Sequence, residues 1–329
     1  MAAIMSGTLP SHINDSIQNE LNVFEKKFRD ALRSNTALLD VVMRYIIKRK
    51  GKQVRPMFVF HTAKMLGGIT ESTYTAASLI ELLHTATLVH DDVVDDSNER
   101  RGFFSINALW KNKIAVLVGD YLLAKGLLLS INNNEFEILR IVSEAVRDMS
   151  EGELLQMEKS RRLDIDEHIY FEIIRQKTAT LIASSCATGA ASAGCEKDII
   201  EKARRMGELI GLAFQIKDDL LDFGSDDIGK PRGIDIKEKK LTLPIIYALQ
   251  NSSRPVKRQM IYIIKNQNKQ PDKVKDVLTF VNESGGIRYA ITKMNDLKSD
   301  ALKILESFEA SQSKDAIASL IEYTTSRKK

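Results

Sequence analysis

Apolar residues recur every three or four positions through most of the chain. Ile17, Leu21, Phe24 and Phe28 form one such row, the spacing of a single helix face. Alternating Val/Ile-rich runs of the strand type are scarce. The pattern predicts amphipathic helices over 11–50, interrupted at Gly51-Lys52-Gln53-Val54-Arg55-Pro56. Pro56 suits the first turn of the next helix, which stops at Gly67-Gly68. A helix follows from Ser72 to about Asn98, then a loop over Arg101 to Ser105. The most apolar stretch, Ile114 to Ile131, is a further helix closed by the turn Asn132-Asn133-Asn134. The next helix runs to about Lys159. Asp164-Ile165-Asp166 reads as a helix start with aspartate as cap. The small residues from Ala183 to Ala193 suggest close helix packing, ended at Gly194. Residues 198–223 form another helix, Gly224 to Lys240 a polar loop, and Leu241-Thr242-Leu243-Pro244 opens the C-terminal helices. The expected class is all-α, with about ten or more helices.

Length changes that picture little. A chain of 329 residues carries a soft prior of about two domains, but helical patterning from end to end without a linker predicts a single domain over 1–329. Hydrophobic content of 43% and charged content of 28% fit a globular protein with a large core. The net charge of +4 is spread along the chain, which leaves no nucleic-acid footprint. The basic end Arg327-Lys328-Lys329 reads as solvated. Met1 to Pro10 lacks a charged segment followed by an apolar one, so no signal peptide is expected. Asp120 and Lys125 interrupt the apolar stretch, which predicts a buried central helix and no transmembrane segment. Cys186 and Cys195, nine apart, fit neither a zinc site nor a disulfide framework, and they suit a cytoplasmic chain.

The chemistry is concentrated in Leu88 to Gly102, where four of the six residues from Asp91 to Asp96 are aspartates. Asp91 and Asp95 are i, i+4 and share one helix face. Their mutual repulsion calls for a cation. The pattern Asp-Asp-x-x-Asp recurs as Asp218-Asp219-Leu220-Leu221-Asp222. An acidic run is ordinarily a solvated helix face. Here each copy follows an apolar segment, Ala86 to Val89 and Leu212 to Ile216, which puts the carboxylates at a cavity mouth. Magnesium (Mg2+) takes oxygen ligands and commonly joins carboxylates to substrate phosphates, so two facing motifs could clamp a diphosphate. His84 lies two turns before Asp91, roughly 10 Å away on nearly the same face. A lone helix histidine is usually a packing residue, but Lys52, Arg55 and Arg101 supply cations for a second anion.

These motifs, in this order, resemble the trans-isoprenyl diphosphate synthases of the long-chain polyprenyl type, across nearly the whole chain. The resemblance rests on Gly-Lys-Gln-Val-Arg-Pro at 51–56, His84-Thr85-Ala86, Asp91 to Asp95, Arg100-Arg101-Gly102, Lys177-Thr178, Phe214-Gln215 with Asp218 to Asp222, Gly229-Lys230, and Lys240 before Leu241-Thr242-Leu243-Pro244. Departures are Gln53, where arginine is common, and Lys217, at a position often apolar. The resemblance implies an isoprenoid synthase-like bundle around a central apolar cavity, acting as a homodimer, with the helix of Ile114 to Ile131 a candidate interface. It implies that Lys52, Arg55, His84 and Arg101 bind isopentenyl diphosphate. Asp91, Asp92, Asp95 and Asp218 would hold magnesium on the allylic diphosphate, which Arg100, Lys177, Lys230 and Lys240 would also bind. Thr178 and Gln215 would line the reacting end, with Asp219 and Asp222 completing the second motif.

In that family, bulky aromatics shortly before the first motif look like floors that stop short products. Ala86 and Thr87 stand there in this chain, with Leu83 deeper. That points to a hexaprenyl to octaprenyl product, against the bland reading that small residues here only serve packing, and against a short-chain (farnesyl or geranylgeranyl) product. A terpene cyclase of similar architecture would not need Lys52, Arg55 and His84. A catalytically silent partner subunit would be expected to have lost aspartates or lysines.

Overall fold

The computed structural model describes residues 11–48, 51–100, 102–224 and 233–326. Among them the chain is helical apart from one two-residue β ladder, so the all-α expectation holds. Helices α1 (Ser11–Asp15), α2 (Gln18–Ala31), α3 (Ala37–Lys48) and α4 (Val54–Leu66) lead to α5 (Glu71–Val94). Strands β1 (Glu99–Arg100) and β2 (Phe103–Phe104) pair antiparallel. Then come α6 (Ile106–Asn132), α7 (Phe136–Arg162) and α8 (Glu167–Ile174). The last runs through a π-helical turn, Arg175–Ala179, into α9 (Thr180–Ser192). Helices α10 (Lys197–Leu221), α11 (Ile234–Lys237), α12 (Leu243–Gln250), α13 (Arg254–Asn266), α14 (Pro271–Glu283), α15 (Gly286–Glu306) and α16 (Gln312–Ser326) complete the fold.

Local chemistry sets several boundaries. Asp166 caps α8, its Oδ1 accepting the Ile169 N–H at 2.8 Å, as its residue type predicts. Gly67 ends α4. Helix α4 is buried on every side from Pro56 to Ala63, the mark of a core helix. The apolar row Ile17, Leu21, Phe24 and Phe28 is buried. It joins a large apolar cluster with Phe58, Leu79, Leu122 and Ile210. A second cluster gathers Tyr170, Ile216, Ile246 and Val277, and Leu297 of α15 packs against both.

Small residues bring the central helices together. A Cβ on Gly189 of α9 would lie 2.6 Å from the Val59 carbonyl of α4. One on Gly211 of α10 would lie 2.5 Å from Ala179 Cα, at the end of the π turn. The Ala/Ser-rich segment therefore packs closely, as its composition suggests. Backbone atoms cannot yield as a flexible side chain can, so Gly211→Ala is expected to destabilise the protein by about 1–3 kcal/mol. Turnover should fall with it, because the π turn is displaced. Chemical denaturation checks this, and a wild-type midpoint would contradict the close packing.

Three expectations need correction. The apolar stretch is not a wholly buried central helix. Helix α6 leaves the helical path at Lys111 (φ 70°, ψ 161°) and packs one face on α5, where Gly119 meets His90 and Gly126 meets Leu79. Its other face exposes Leu109, Val116, Leu117, Leu127, Leu128 and Ile131. Long runs apolar on all sides read as buried, yet here one side is exposed. The polar loop before the C-terminal helices contains α11, and α5 ends at Val94 instead of Asn98.

Candidate active site

The first aspartate motif lies on the last turn of α5. The Asp95 N–H donates to the Asp91 carbonyl at 2.8 Å, which keeps the two carboxylates stacked at i, i+4. Asp91 is half-buried, Asp95 exposed, and Asp92 buried at 5% exposure. Asn107 anchors the following turn. Its Nδ2 donates to the carbonyls of Asp92 and Ser97, each at 3.1 Å. Ser105 Oγ donates to the Ser97 carbonyl at 2.6 Å. The segment carrying Arg100 is thus tied to the end of α5. The side chain of Arg100, and Arg101 and Lys230 entirely, lie outside the described residues.

The second motif lies at the C-terminal end of α10, and its three aspartates face different ways. Asp218 is exposed. Asp219 is buried, with Oδ2 accepting from Tyr170 OH at 2.7 Å and Oδ1 from Gln215 Nε2 at 2.8 Å. Burial pushes its carboxyl up to about 7, against the pull of those two hydrogen bonds. Asp222 is turned toward α11. Its carboxylate accepts the backbone N–H of Ile234 at 2.8 Å and of Asp235 at 3.2 Å. It caps that short helix, a structural task that the spacing alone did not show.

Lys240 follows α11, and its charge is felt at both motifs. Its Nζ pairs with Glu238 at 2.6 Å. Burial alone would lower its pKa, but the hydrogen bond to Glu238 and the charges of Glu238, Asp235 and Asp95 raise it. The same lysine is felt by Asp219. The positive charge of Lys240 thus interacts with Asp95 of the first motif, with Asp219 of the second and with Asp235. Asp235 was not singled out in the sequence. Burial, then the charges of Asp219 and Asp222, push it up to about 8. Its position among three carboxylates is a tertiary fact with no local signature.

The π turn presents Lys177 and Thr178. Gly152 of α7 admits it closely, since a Cβ there would lie 2.7 Å from Gln176 Cβ and 3.0 Å from the Lys177 nitrogen. Lys177 pairs with Glu153 and donates to Gln156 Oε1 at 3.4 Å. Thr178 Oγ1 donates to Gln215 Oε1 at 2.8 Å, so these two expected neighbours are brought together.

Of the second basic group, Arg55 and His84 are brought together. Arg55 Nη1 donates to His84 Nε2 at 2.9 Å. A guanidinium accepts nothing, so that nitrogen carries the lone pair. Lys52 donates to Tyr323 OH on α16, with its Nζ 5.1 Å from the Tyr323 ring centre. Tyr323 was missed in the sequence, being 271 positions away. Gln53 starts α4 in the left-handed region (φ 53°).

The donor set at the two motifs is all carboxylate oxygen, which suits a hard divalent cation. Among the described residues no three His, Cys, Asp or Glu side chains close around a point by themselves. Like-charged carboxylates spread apart, and phosphate oxygens ordinarily supply the remaining ligands of such sites.

The all-α bundle carries paired aspartate motifs and basic side chains at the ends of its central helices, and its similarity to known proteins gives its class. Residues 36–281 match the polyprenyl synthetase family, and the chain belongs to it. It is 31% identical to the heptaprenyl diphosphate synthase component 2 of Bacillus subtilis, over 95% of this chain and 89% of that one. It is 34% identical to the short chain isoprenyl diphosphate synthase of Methanothermobacter thermautotrophicus, over 86% and 88%. The crystal structure of a polyprenyl synthase from Caulobacter crescentus, complexed with calcium and isoprenyl diphosphate, superposes with a TM-score of 0.88 at 31% identity. It covers 98% of this chain and 99% of that one.

Proposed function

We propose that the chain, as one domain over 1–329, is a magnesium-dependent prenyltransferase that joins isopentenyl diphosphate head-to-tail to an allylic diphosphate and repeats the step to a long product. The observation that supports this reading is the pair of Asp-Asp-x-x-Asp motifs at the C-terminal ends of α5 and α10 in a chain of the polyprenyl synthetase family. The two motifs then act as one site, with Lys240 contributing positive charge to both.

In this reading Asp91, Asp92, Asp95 and Asp218 hold magnesium, which when bound neutralises charge on the departing diphosphate. Arg100, Lys177, Lys230 and Lys240 bind that diphosphate, and Lys177 leaves Glu153 to do so. Lys52, Arg55, His84 and Arg101 hold isopentenyl diphosphate. The allylic carbon–oxygen bond ionises, and Thr178 and Gln215 turn oxygen lone pairs toward the resulting cation. The double bond of isopentenyl diphosphate attacks it, and the released diphosphate takes the proton lost from the new unit. Water must be kept out or it captures the cation.

Product length follows from α5. Ala86 is fully buried and Leu83 nearly so. Thr87 is half-buried, its hydroxyl donating to the His84 carbonyl at 3.0 Å. No bulky side chain stands there to stop a growing tail, which favours a hexaprenyl to octaprenyl product. A second copy of the chain is the proposed cover for the exposed face of α6, giving a cytoplasmic homodimer.

Incubating the protein with magnesium, farnesyl diphosphate and isopentenyl diphosphate should release diphosphate and consume both substrates. Absence of turnover with every allylic primer would refute the reading.

A further inference from the structure

The second aspartate motif contains a buried hydrogen-bond chain that no metal-holding role explains. It runs from Tyr170 OH to Asp219 Oδ2 at 2.7 Å, from Gln215 Nε2 to Asp219 Oδ1 at 2.8 Å, and from Thr178 Oγ1 to Gln215 Oε1 at 2.8 Å. Both Asp219 oxygens face interior donors, while its neighbour Asp218 is exposed. The adjacent pair is thus divided, one carboxylate outward and one inward.

The chemistry of an amide makes the inward carboxylate informative. A glutamine side chain can turn end for end at little cost, exchanging its oxygen and NH2. With Tyr170 OH on Asp219 Oδ2, the other oxygen, Oδ1, takes the Gln215 Nε2, and this contact sets the amide with its NH2 toward Asp219. Gln215 Oε1 is then presented to Thr178, whose hydroxyl donates to it. The Thr178 oxygen keeps its lone pairs, and a carbonyl oxygen keeps a second. Tyr170 fixes Asp219 in turn. Its ring is 4% exposed and packs edge-on against Phe171 with centroids 5.5 Å apart. The hydroxyl is its one polar handle, and it is spent on Asp219.

We propose that Tyr170 is a positioning residue: acting through Asp219, it sets the Gln215 amide so that the Gln215 and Thr178 oxygens face the reacting end of the allylic substrate. This rests on the reaction proposed above. Without the phenol, Asp219 can rotate, the Gln215 amide loses its preferred orientation, and the cation is held less well. Water then captures a larger share of it. That side reaction forms a carbon–oxygen bond to water, gives the allylic alcohol, and passes the water proton to the free diphosphate.

Tyr170→Phe keeps the ring and removes the hydroxyl. Loss of an outer orienting contact of this kind commonly costs ten- to hundredfold, so kcat should fall by about that factor. KM for isopentenyl diphosphate should stay within about twofold, because the Arg55–His84 site is separate. The fraction of allylic substrate ending as alcohol should rise. Partial unfolding lowers kcat without altering that fraction, so a reduced kcat with a wild-type alcohol share would overturn the proposal. The double variant Tyr170→Phe/Asp219→Asn should be no worse than Asp219→Asn alone, since both act on one chain. Effects that multiply would overturn the proposal too. A wild-type protein inactive on every primer would overturn this and the reaction together, whereas an active wild type with an indifferent Tyr170→Phe would overturn this alone.

Discussion

Asp91→Ala lowers turnover by about three orders of magnitude and leaves the melting temperature within about 2 °C of wild type. The first figure follows from the proposed role of Asp91 as an anionic metal ligand beside the leaving diphosphate, a contribution of several kcal/mol, with each ~1.4 kcal/mol worth tenfold. The second follows from position. Asp91 is half-buried on the last turn of α5, and its carbonyl, which accepts from Asp95, is retained in alanine. Relief of repulsion from Asp95 offsets what is lost. Steady-state kinetics with a thermal melt decides it. Near-normal turnover would remove the first motif from the metal site, and a large drop in melting temperature would make its role structural.

Ala86→Tyr shortens the product. Ala86 is fully buried in the larger apolar cluster, one turn before the first motif. If the growing tail passes along this face of α5, a phenol there blocks it, and elongation stops after few additions. If the space is packed solid, the same change costs about 1–3 kcal/mol by overpacking and leaves product length untouched. Chromatography of dephosphorylated products separates the two. An unchanged length distribution would place the tail elsewhere.

Residue type and short spacing carried much of the site into view. Asp91 and Asp95 share a face because a helix repeats every 3.6 residues, so that pair is readable without a fold. Arg55 with His84, and Thr178 with Gln215, were grouped by family resemblance, and the structure brings each within hydrogen-bond distance. The misses are of another kind. Asp222 shares the helical spacing of Asp218, yet it caps α11, because the chain turns back beyond α10 to place the Ile234 and Asp235 amides beside it. The π turn at Arg175–Ala179 has no compositional sign. It is stabilised by what approaches it, Gly152 from α7 and Gly211 from α10. Tyr170 meets Asp219 across 49 positions. The exposed face of α6 was unreadable for a different reason. An exposed apolar face and a buried one carry the same residue pattern, and only the fold tells them apart.

The most direct test of the account is the mass of the product formed by wild-type protein from farnesyl diphosphate and isopentenyl diphosphate with magnesium. The account predicts a ladder of species separated by whole isoprene units, ending between hexaprenyl and octaprenyl diphosphate and absent when magnesium is chelated. Recovery of unextended primer or its alcohol as the sole species, or extension that persists without divalent cation, would contradict it.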